Sequence, residues 1–215
     1  MKDVHPIYAN PANSILVVIN MQNEFCKPGG IIHDERPVKE MPQIIGVVKT
    51  VTQKAREVGI PIIHIQSTRS SDEPEFTVYG NKPIIKAGSW GAEIVAELKP
   101  QERDVVVAAW WQDPFYKSKL NHIVEGLVEE PTKSHAILVG GDIVGALYLT
   151  AMGFYLRNHW VVVPIDAIYG DQDGHEFALN QFSKSSLPNI FLTRSDLIEL
   201  SSVPEPAIQG LMPNT

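Results

Sequence analysis

Polar side chains that directly follow buried strands are the first candidates for chemistry, and Asn20 is one of them. The run "SILVVIN" (residues 14–20) is apolar almost up to this asparagine, as expected for a strand buried on both faces of a parallel sheet. The carboxyl end of such a strand lies at the edge of the sheet where ligands bind. A carboxylate here would transfer protons, whereas a neutral amide has no comparable basicity. Asn20 therefore indicates either a structural residue or a chain that has lost a reaction.

Two aspartates could replace a missing proton-transfer group. Asp142 follows the apolar run "HAILVGG", and its carboxylate could act as an acid or base or bind a cationic ligand. The alternative, which we prefer, is that Asp142 caps a helix predicted to begin near Val144, because aspartate is a favoured N-cap residue. Asp113 precedes a proline in "WWQDPF", and this arrangement favours a turn.

The single cysteine, Cys26, lies in the loop after the first apolar run. One cysteine permits no internal disulfide. Because cysteine is small and soft, we interpret Cys26 as a packing residue rather than a nucleophile.

Apolar runs alternate with helical patterns along the whole chain. The predicted strands are 14–20, 60–68, 104–110, 135–141, 160–168 and 189–195. The predicted helices are 40–59, 91–98, 117–130, 144–157 and 174–185. A polar stretch around residues 72–75 is expected to be a surface loop or flap, and residues 196–215 a short helix with an extended C-terminal arm. This order predicts an α/β fold with one doubly wound, six-stranded parallel sheet in a single domain spanning residues 1–215.

Ligands of such sheets bind beyond the carboxyl ends of the strands. The residues predicted to line this pocket are Gln22, Phe25, Trp110, Trp111, Phe115, Asp142, Ile143 and Tyr169. Because Trp110 and Trp111 are adjacent, they should point to opposite sides if the strand continues. One ring is then expected to pack inward and the other to line or plug the pocket.

Composition excludes several classes of protein. The chain has 215 residues, 44% of them hydrophobic, and a net charge of -7, which argues against binding to duplex nucleic acid or to an anionic membrane. No apolar run approaches the roughly 18 residues needed to cross a bilayer, so a cytoplasmic protein is expected. The seven histidines form no close pair with metal-ligand spacing, and the glycines of "GGDIVG" do not follow the dinucleotide pattern. We therefore predict neither a metal nor a cofactor.

Five segments, in order, resemble the isochorismatase-like hydrolases, a superfamily that includes nicotinamidases, carbamoylsarcosine-type amidases and isochorismatases. These segments are "ILVVINMQNEFCKPGG", "KAGSWGAEIVAELKP", "FYKSKL", "AILVGG" and "IDAIYGDQDGHEFALNQF". The resemblance runs from about Ser14 to Ser195. It implies a three-layer sandwich with a Rossmann-like sheet and assembly into a dimer or tetramer, and it places Asp166 at a structural position.

The resemblance also implies which residues should be catalytic, and here the sequence departs from the family. The amidases use an aspartate, a lysine and a cysteine, and the matching positions hold Asn20, Ala109 and Ala146. In the isochorismatase branch a small residue can occupy the cysteine position and a tryptophan like Trp110 stands beside the lysine. That branch still needs the aspartate to deliver a proton, which Asn20 cannot do.

Two hypotheses about function follow. In the first, the chain lacks the family's cysteine-hydrolase activity and binds a small molecule or a protein partner. In the second, it is a hydrolase with altered chemistry that uses Asp142 or Asp113 on an unknown small substrate. The first is preferred because it requires no unproven catalytic group.

Overall fold

The structure is a computed structural model. It describes residues 7–69, 82, 84–110, 112–128, 130–184 and 186–202. The predicted loop around residues 72–75, the side chain of Trp111 and the predicted arm from residue 203 onward lie outside the described residues.

Six parallel strands form the central sheet, in the order β4-β3-β2-β5-β6-β7. They are β2 (Ser14–Ile19), β3 (Ile62–Ser67), β4 (Val105–Ala109), β5 (His135–Gly140), β6 (Trp160–Pro164) and β7 (Ile190–Thr193). The chain moves outward from β2 to β4 and then returns to place β5 beside β2, with Ile19 opposite Gly140. The predicted six-stranded parallel sheet is confirmed, and its switch point lies between β2 and β5.

Helices cover both faces of this sheet. They are α1 (Asn23–Cys26), α2 (Ile31–Glu35), α3 (Met41–Val58), α4 (Leu120–Leu127), α5 (Ala146–Tyr155) and α6 (Gln172–Phe182). Helix α3 ends at Gly59, whose φ of 85° is the left-handed conformation that glycine adopts readily. No helix in the described part of the chain is long and apolar enough to cross a membrane.

The alternating side chains of β2 divide the core into two layers. Ile15, Val17 and Ile19 pack with α4, α5 and α6 on one face. Leu16 and Val18 pack with α3 on the other. All six residues of β2 are buried, which explains why the strand reads as a continuous apolar run.

Several parts of the chain differ from the predicted elements, and the short helices α1 and α2 were not predicted. The segment 91–98 is not a helix: it forms two 3-10 helices, Trp90–Ala92 and Ala96–Leu98, separated by a stretch in which Ile94 pairs with Gln22. The short strands β1 (Ile7–Ala9) and β8 (Ile198–Leu200) pair with each other and were not predicted. Only three residues contribute to each, too few for a strand pattern to stand out.

Candidate functional site

A cavity of about 1000 Å³ opens at the switch point of the sheet. Asn20 after β2, Ser67 at the end of β3, Asp142 and Ala146 after β5, and Tyr169 after β6 all line it. Parallel α/β sheets bind ligands at this place because neighbouring strands diverge there and leave a crevice. The cavity is therefore the candidate site.

Asn20 stands at the floor of the cavity in a left-handed backbone conformation, with φ at 50°. Asparagine is among the few non-glycine residues that adopt it readily. Its main-chain N–H donates to the Ile65 carbonyl at 3.0 Å, and its Oδ1 accepts a 2.8 Å hydrogen bond from the Ser67 hydroxyl. The side chain is thus fixed to the end of the neighbouring strand β3.

Tyr169 lines the cavity and contacts Asn20. Its hydroxyl donates a 2.9 Å hydrogen bond to the main-chain carbonyl of Asn20. Burial raises the pKa of this phenol well above its usual value, so the hydroxyl keeps its proton and acts as a donor. This hydrogen bond joins Tyr169, which follows β6, to Asn20, which follows β2, at the carboxyl edge of the sheet.

The connection between β5 and α5, residues 141–145, is called the elbow. Its first residue and the preceding Gly140 lie very close to the backbone of Ile19 and Tyr169. Gly140 has a φ of 99°, and a Cβ placed on it would lie 2.1 Å from the carbonyl oxygen of Ile19. A Cβ on Gly141 would lie 2.6 Å from the carbonyl oxygen of Tyr169. Only glycine fits at either position. These two glycines bring the following residue, Asp142, to the cavity wall.

Asp142 does not cap α5 as predicted. The helix begins at Ala146 with Gly145 at the N-cap, because the chain first makes an extra turn in which Asp142 Oδ1 accepts a 3.1 Å hydrogen bond from the Val144 N–H. This is the local side-chain to main-chain hydrogen bond that aspartate favours in turns. The carboxylate remains on the cavity wall.

Burial raises the pKa of Asp142 above its usual value, and the negative charge of Asp171 raises it further. Arg36 and His175 act in the opposite direction. Burial also lowers the pKa of His175, although Asp142 partly offsets this effect. The elbow thus presents a carboxyl group that protonates more easily than an exposed aspartate.

Residues 14–191 match the family described as the Isochorismatase domain. The chain belongs to the isochorismatase domain family. It is 26% identical over 200 residues to ureidoacrylate amidohydrolase RutB of Enterobacter sp. (strain 638), an alignment that covers 84% of this chain and 83% of that enzyme. It is also 28% identical over 173 residues to the secreted isochorismatase effector Isc1 of Verticillium dahliae, with 80% of each chain covered. With RutB of Caulobacter segnis the alignment is 25% identical and spans 58% of that enzyme.

Solved structures of the family have the same architecture. N-carbamoylsarcosine amidase from Thermoplasma acidophilum superposes with a TM-score of 0.73 at 25% identity, over 87% of this chain and 99% of that one. A cysteine hydrolase from Pseudomonas syringae pv. phaseolicola superposes with a TM-score of 0.78 at 19% identity, over 91% and 94% of the two chains. The predicted three-layer isochorismatase-like fold is confirmed.

In this isochorismatase-domain chain, two alanines lie near the carboxyl ends of β4 and β5. Ala146 begins α5 and lines the cavity. Ala109 ends β4 and is only 1% exposed within the core cluster that packs against α4 and α5. Neither methyl group can donate, accept or transfer a proton, so both positions add only apolar surface.

The other residues predicted to line the pocket divide into two groups. Phe25 and Tyr169 line the cavity with Asp142. Gln22 is buried behind it and donates to the carbonyls of Ser67 and Ala92, both at 2.8 Å.

Three further predicted lining residues do not line the cavity. Ile143 and Phe115 belong to the core, and Trp110 is 49% exposed at the surface. Trp110 is directed outward because the inward positions of β4 are Val107 and Ala109. Trp110 is therefore not the ring that lines or plugs the pocket, and Trp111 lies outside the described residues.

Asp113 does not line the cavity either. Its Oδ1 accepts a 2.9 Å hydrogen bond from the Phe115 N–H in the predicted turn. Asp166, which does line the cavity, accepts hydrogen bonds from the main-chain N–H and hydroxyl of Ser195, at 2.8 and 2.6 Å. Its carboxylate is therefore held by the turn that follows β7.

Cys26 does not line the cavity. It is buried in the core layer beside α3, and burial raises the pKa of its thiol to about 12. The thiol is thus kept in its unreactive protonated form, in agreement with its interpretation as a packing residue.

Sequence reasoning missed several residues of the cavity wall. Ser67 ends a predicted strand, which could have identified it. Other polar residues of the wall that it missed include Arg36, Lys39, Asp171, His175 and Glu176. Among the described residues, no three histidine, cysteine or acidic side chains are grouped so that they could hold a metal ion.

Proposed function

We propose that this chain is an isochorismatase-domain protein that binds a small molecule in the switch-point cavity and lacks the family's cysteine-hydrolase activity. The observation that carries the proposal is Ala146 at the start of α5, on the wall of a cavity of about 1000 Å³. The resemblance places the nucleophile there. A binding cavity is present, and the position beside it has no nucleophilic atom.

The other two aligned positions support this proposal. The family's aspartate would accept the thiol proton, and its lysine would stabilise developing negative charge. Here Asn20 offers a neutral amide and Ala109 a buried methyl group. Groups of this kind act as a unit, and loss of a single member commonly lowers kcat by several orders of magnitude. Loss of all three is expected to abolish the reaction.

The elbow also disfavours acyl transfer. An oxyanion site needs hydrogen-bond donors directed at the developing negative charge. The Asp142 side chain places a carboxylate on that wall instead. A developing oxyanion would be less well stabilised beside this carboxylate than in a site that directs only donors at it.

The experiment measures product formation from nicotinamide, N-carbamoylsarcosine, ureidoacrylate and isochorismate. Wild-type protein is expected to show no turnover above the protein-free background. The combined variant Asn20→Asp, Ala109→Lys and Ala146→Cys is expected to create amide hydrolysis. A control with Ala109→Met in place of the lysine keeps the chain length without the charge and should remain inactive. Wild-type turnover of any of these compounds contradicts the proposal.

Binding is tested by thermal unfolding against a panel of small amides and amines. A ligand of the native cavity raises Tm by linkage. Compounds that stabilise the wild type are expected to have a smaller effect on Ala146→Phe, whose ring would project into the cavity from the start of α5. An equal rise in Tm for both proteins would show that the ligand binds outside the cavity.

One observation favours a second candidate function, a hydrolase with altered chemistry. Asp142 lines the cavity with a raised pKa, as a general acid requires. Turnover of a small substrate that Asp142→Asn abolishes without unfolding would establish this function. Asp113, the other candidate, is held in a turn. The cytoplasmic location and the assembly into a dimer or tetramer remain predictions, the second testable by analytical ultracentrifugation.

A further inference from the structure

The cavity wall formed by the elbow and α6 carries most of its negative charge. Asp142, Asp171 and Glu176 all line it. Asp171 is the N-cap of α6, and its Oδ1 accepts a 2.7 Å hydrogen bond from the Gly174 N–H. Glu176 is exposed to solvent. Asp142 is the most enclosed of the three acids.

The Asp142 carboxylate has no cationic partner within the described part of the chain. Its only hydrogen bond there comes from the Val144 N–H, and no lysine or arginine nitrogen forms an ion pair with it. Burial lowers the pKa of the nearby His175, so this ring is neutral near pH 7. A carboxylate removed from water without a partner is costly, and the raised pKa of Asp142 reflects that cost. A cation bound in the cavity would offset this free-energy cost by pairing with the carboxylate.

Asn20 gives an independent indication of a ligand. Only 6% of the residue is exposed, and it lines the cavity. Oδ1 accepts a hydrogen bond from Ser67, whereas Nδ2 has no acceptor among the residues that the structure describes. Nδ2 is not one of the fully buried unpaired atoms in that part of the chain, so it remains accessible from the cavity. Nδ2 is therefore available to a hydrogen-bond acceptor on a ligand.

The basic residues of the cavity do not reverse this preference. Arg36, Lys39 and Lys82 line the cavity and are exposed to solvent. The half-buried Arg69 also lines it, and its guanidinium donates to the Trp110 carbonyl. Exposed charges are hydrated and screened by salt, so they contribute little to selectivity. Of the two partly buried acids that line the cavity, Asp166 is held by Ser195 and Arg194. Asp142 is therefore the acid that remains open to a cation on a ligand.

We infer that the cavity selects a small organic cation, with an ammonium or guanidinium group against Asp142 and a neutral hydrogen-bond acceptor against Asn20. This inference rests on the proposed binding function and names its ligand class. It also accounts for the carboxylate on the elbow, which would be unfavourable in a site built for an anion.

The test compares three small amides of nearly equal size. γ-Aminobutyramide carries an ammonium group, pentanamide a methyl group in its place, and succinamate a carboxylate. Dissociation constants are measured by NMR titration of the isotopically labelled full-length chain near neutral pH. We expect γ-aminobutyramide to bind about tenfold more tightly than pentanamide, the effect of one charge-assisted hydrogen bond, and succinamate to bind more weakly than either.

Two variants separate the role of Asp142 from a general effect of charge. Asp142→Asn is expected to remove the tenfold preference for the cation and to leave the affinity for pentanamide nearly unchanged. Asp173→Asn removes the same charge from the first turn of α6 but at an exposed position that does not line the cavity. It should keep the preference.

Each other result has a distinct meaning. Equal affinity for the cation and pentanamide, tighter binding of succinamate, or an unchanged preference in Asp142→Asn overturns the cation inference while the binding function stands. Absence of chemical-shift changes around the cavity with all three compounds overturns the inference as well. Release of ammonia from any of these amides contradicts the proposed function itself.

Discussion

The Ser67 hydroxyl donates a 2.8 Å hydrogen bond to Oδ1 of Asn20 and so joins the carboxyl ends of β3 and β2. Gln22 reinforces the same junction: its Oε1 accepts from the Ser67 N–H at 2.9 Å, and its Nε2 donates to the Ser67 carbonyl. Asn20 is therefore a fixed part of the cavity wall, and its Nδ2 has no hydrogen-bond acceptor among the described residues. The side chain of Asn20 thus has a structural role in joining β2 to β3.

Two replacements of Asn20 test how its side chain contributes to folding and activity. Asn20→Asp keeps a residue that tolerates the left-handed backbone and an oxygen that accepts from Ser67, so the protein should stay folded and gain no amidase activity alone. Asn20→Val introduces a β-branched side chain at a φ of 50° and leaves the Ser67 hydroxyl without its acceptor. It is expected to lower the free energy of unfolding by about 2–4 kcal/mol, measured by urea denaturation.

Asn158 provides a matched control. It also has a positive φ, at 64°, but lies exposed after α5. Asn158→Val should cost only the backbone strain, roughly 1–2 kcal/mol. Equal destabilisation by the two valine variants would show that the hydrogen bond to Ser67 contributes nothing to stability.

A buried ion pair anchors α3 to the sheet far from the cavity. Arg56 Nη2 contacts Asp104 Oδ2 at 2.5 Å, and His64 Nε2 lies 3.3 Å from the same oxygen. The side chain of Asp104 is almost fully buried. Asp104→Asn leaves Arg56 without a counter-charge, so urea denaturation is expected to show a loss of about 3 kcal/mol.

The control for this change is an exposed pair. Arg194 Nε lies 3.2 Å from Asp196 Oδ1, with both side chains more than half exposed. Asp196→Asn should change the free energy of unfolding by less than about 1 kcal/mol. A similar small effect for Asp104→Asn would contradict a stabilising role for the buried pair.

Two buried histidines make stability depend on pH. Burial lowers the pKa of His135 to about 4, and that of His159 likewise to about 4. Because the unfolded chain binds these protons near pH 6.5, the native state loses stability as pH falls from about 6.5 towards 4. The full effect is roughly 3 kcal/mol for each histidine. Urea denaturation across this range measures it.

His135 can be tested by an apolar replacement. Within the described residues neither of its ring nitrogens has a hydrogen-bond partner, so His135→Leu removes no contact of this kind. The variant should match or exceed wild-type stability at pH 7 and show about half of the acid-induced loss. An unchanged pH profile would mean that His135 does not titrate on unfolding.

Several features of this protein follow from local sequence alone. The continuous apolar runs of β2 and β5 specify strands buried on both faces, and Gly140 and Gly141 mark the tight elbow that carries Asp142. Such patterns are readable because burial and backbone conformation restrict the residue types allowed at each position. The order of strands and helices then predicts the parallel sheet and its ligand-binding edge.

The tertiary structure alone decided which side chains face that edge. Sheet order places β2 beside both β3 and β5, so Ser67 reaches Asn20 and Tyr169 reaches its carbonyl from segments distant in sequence. It also directs Trp110 outward and brings Asp171 and His175, at the start of α6, to the cavity that Arg36 lines too. These contacts depend on strand pairing and helix packing between distant residues, which leave no periodic signal in the local sequence.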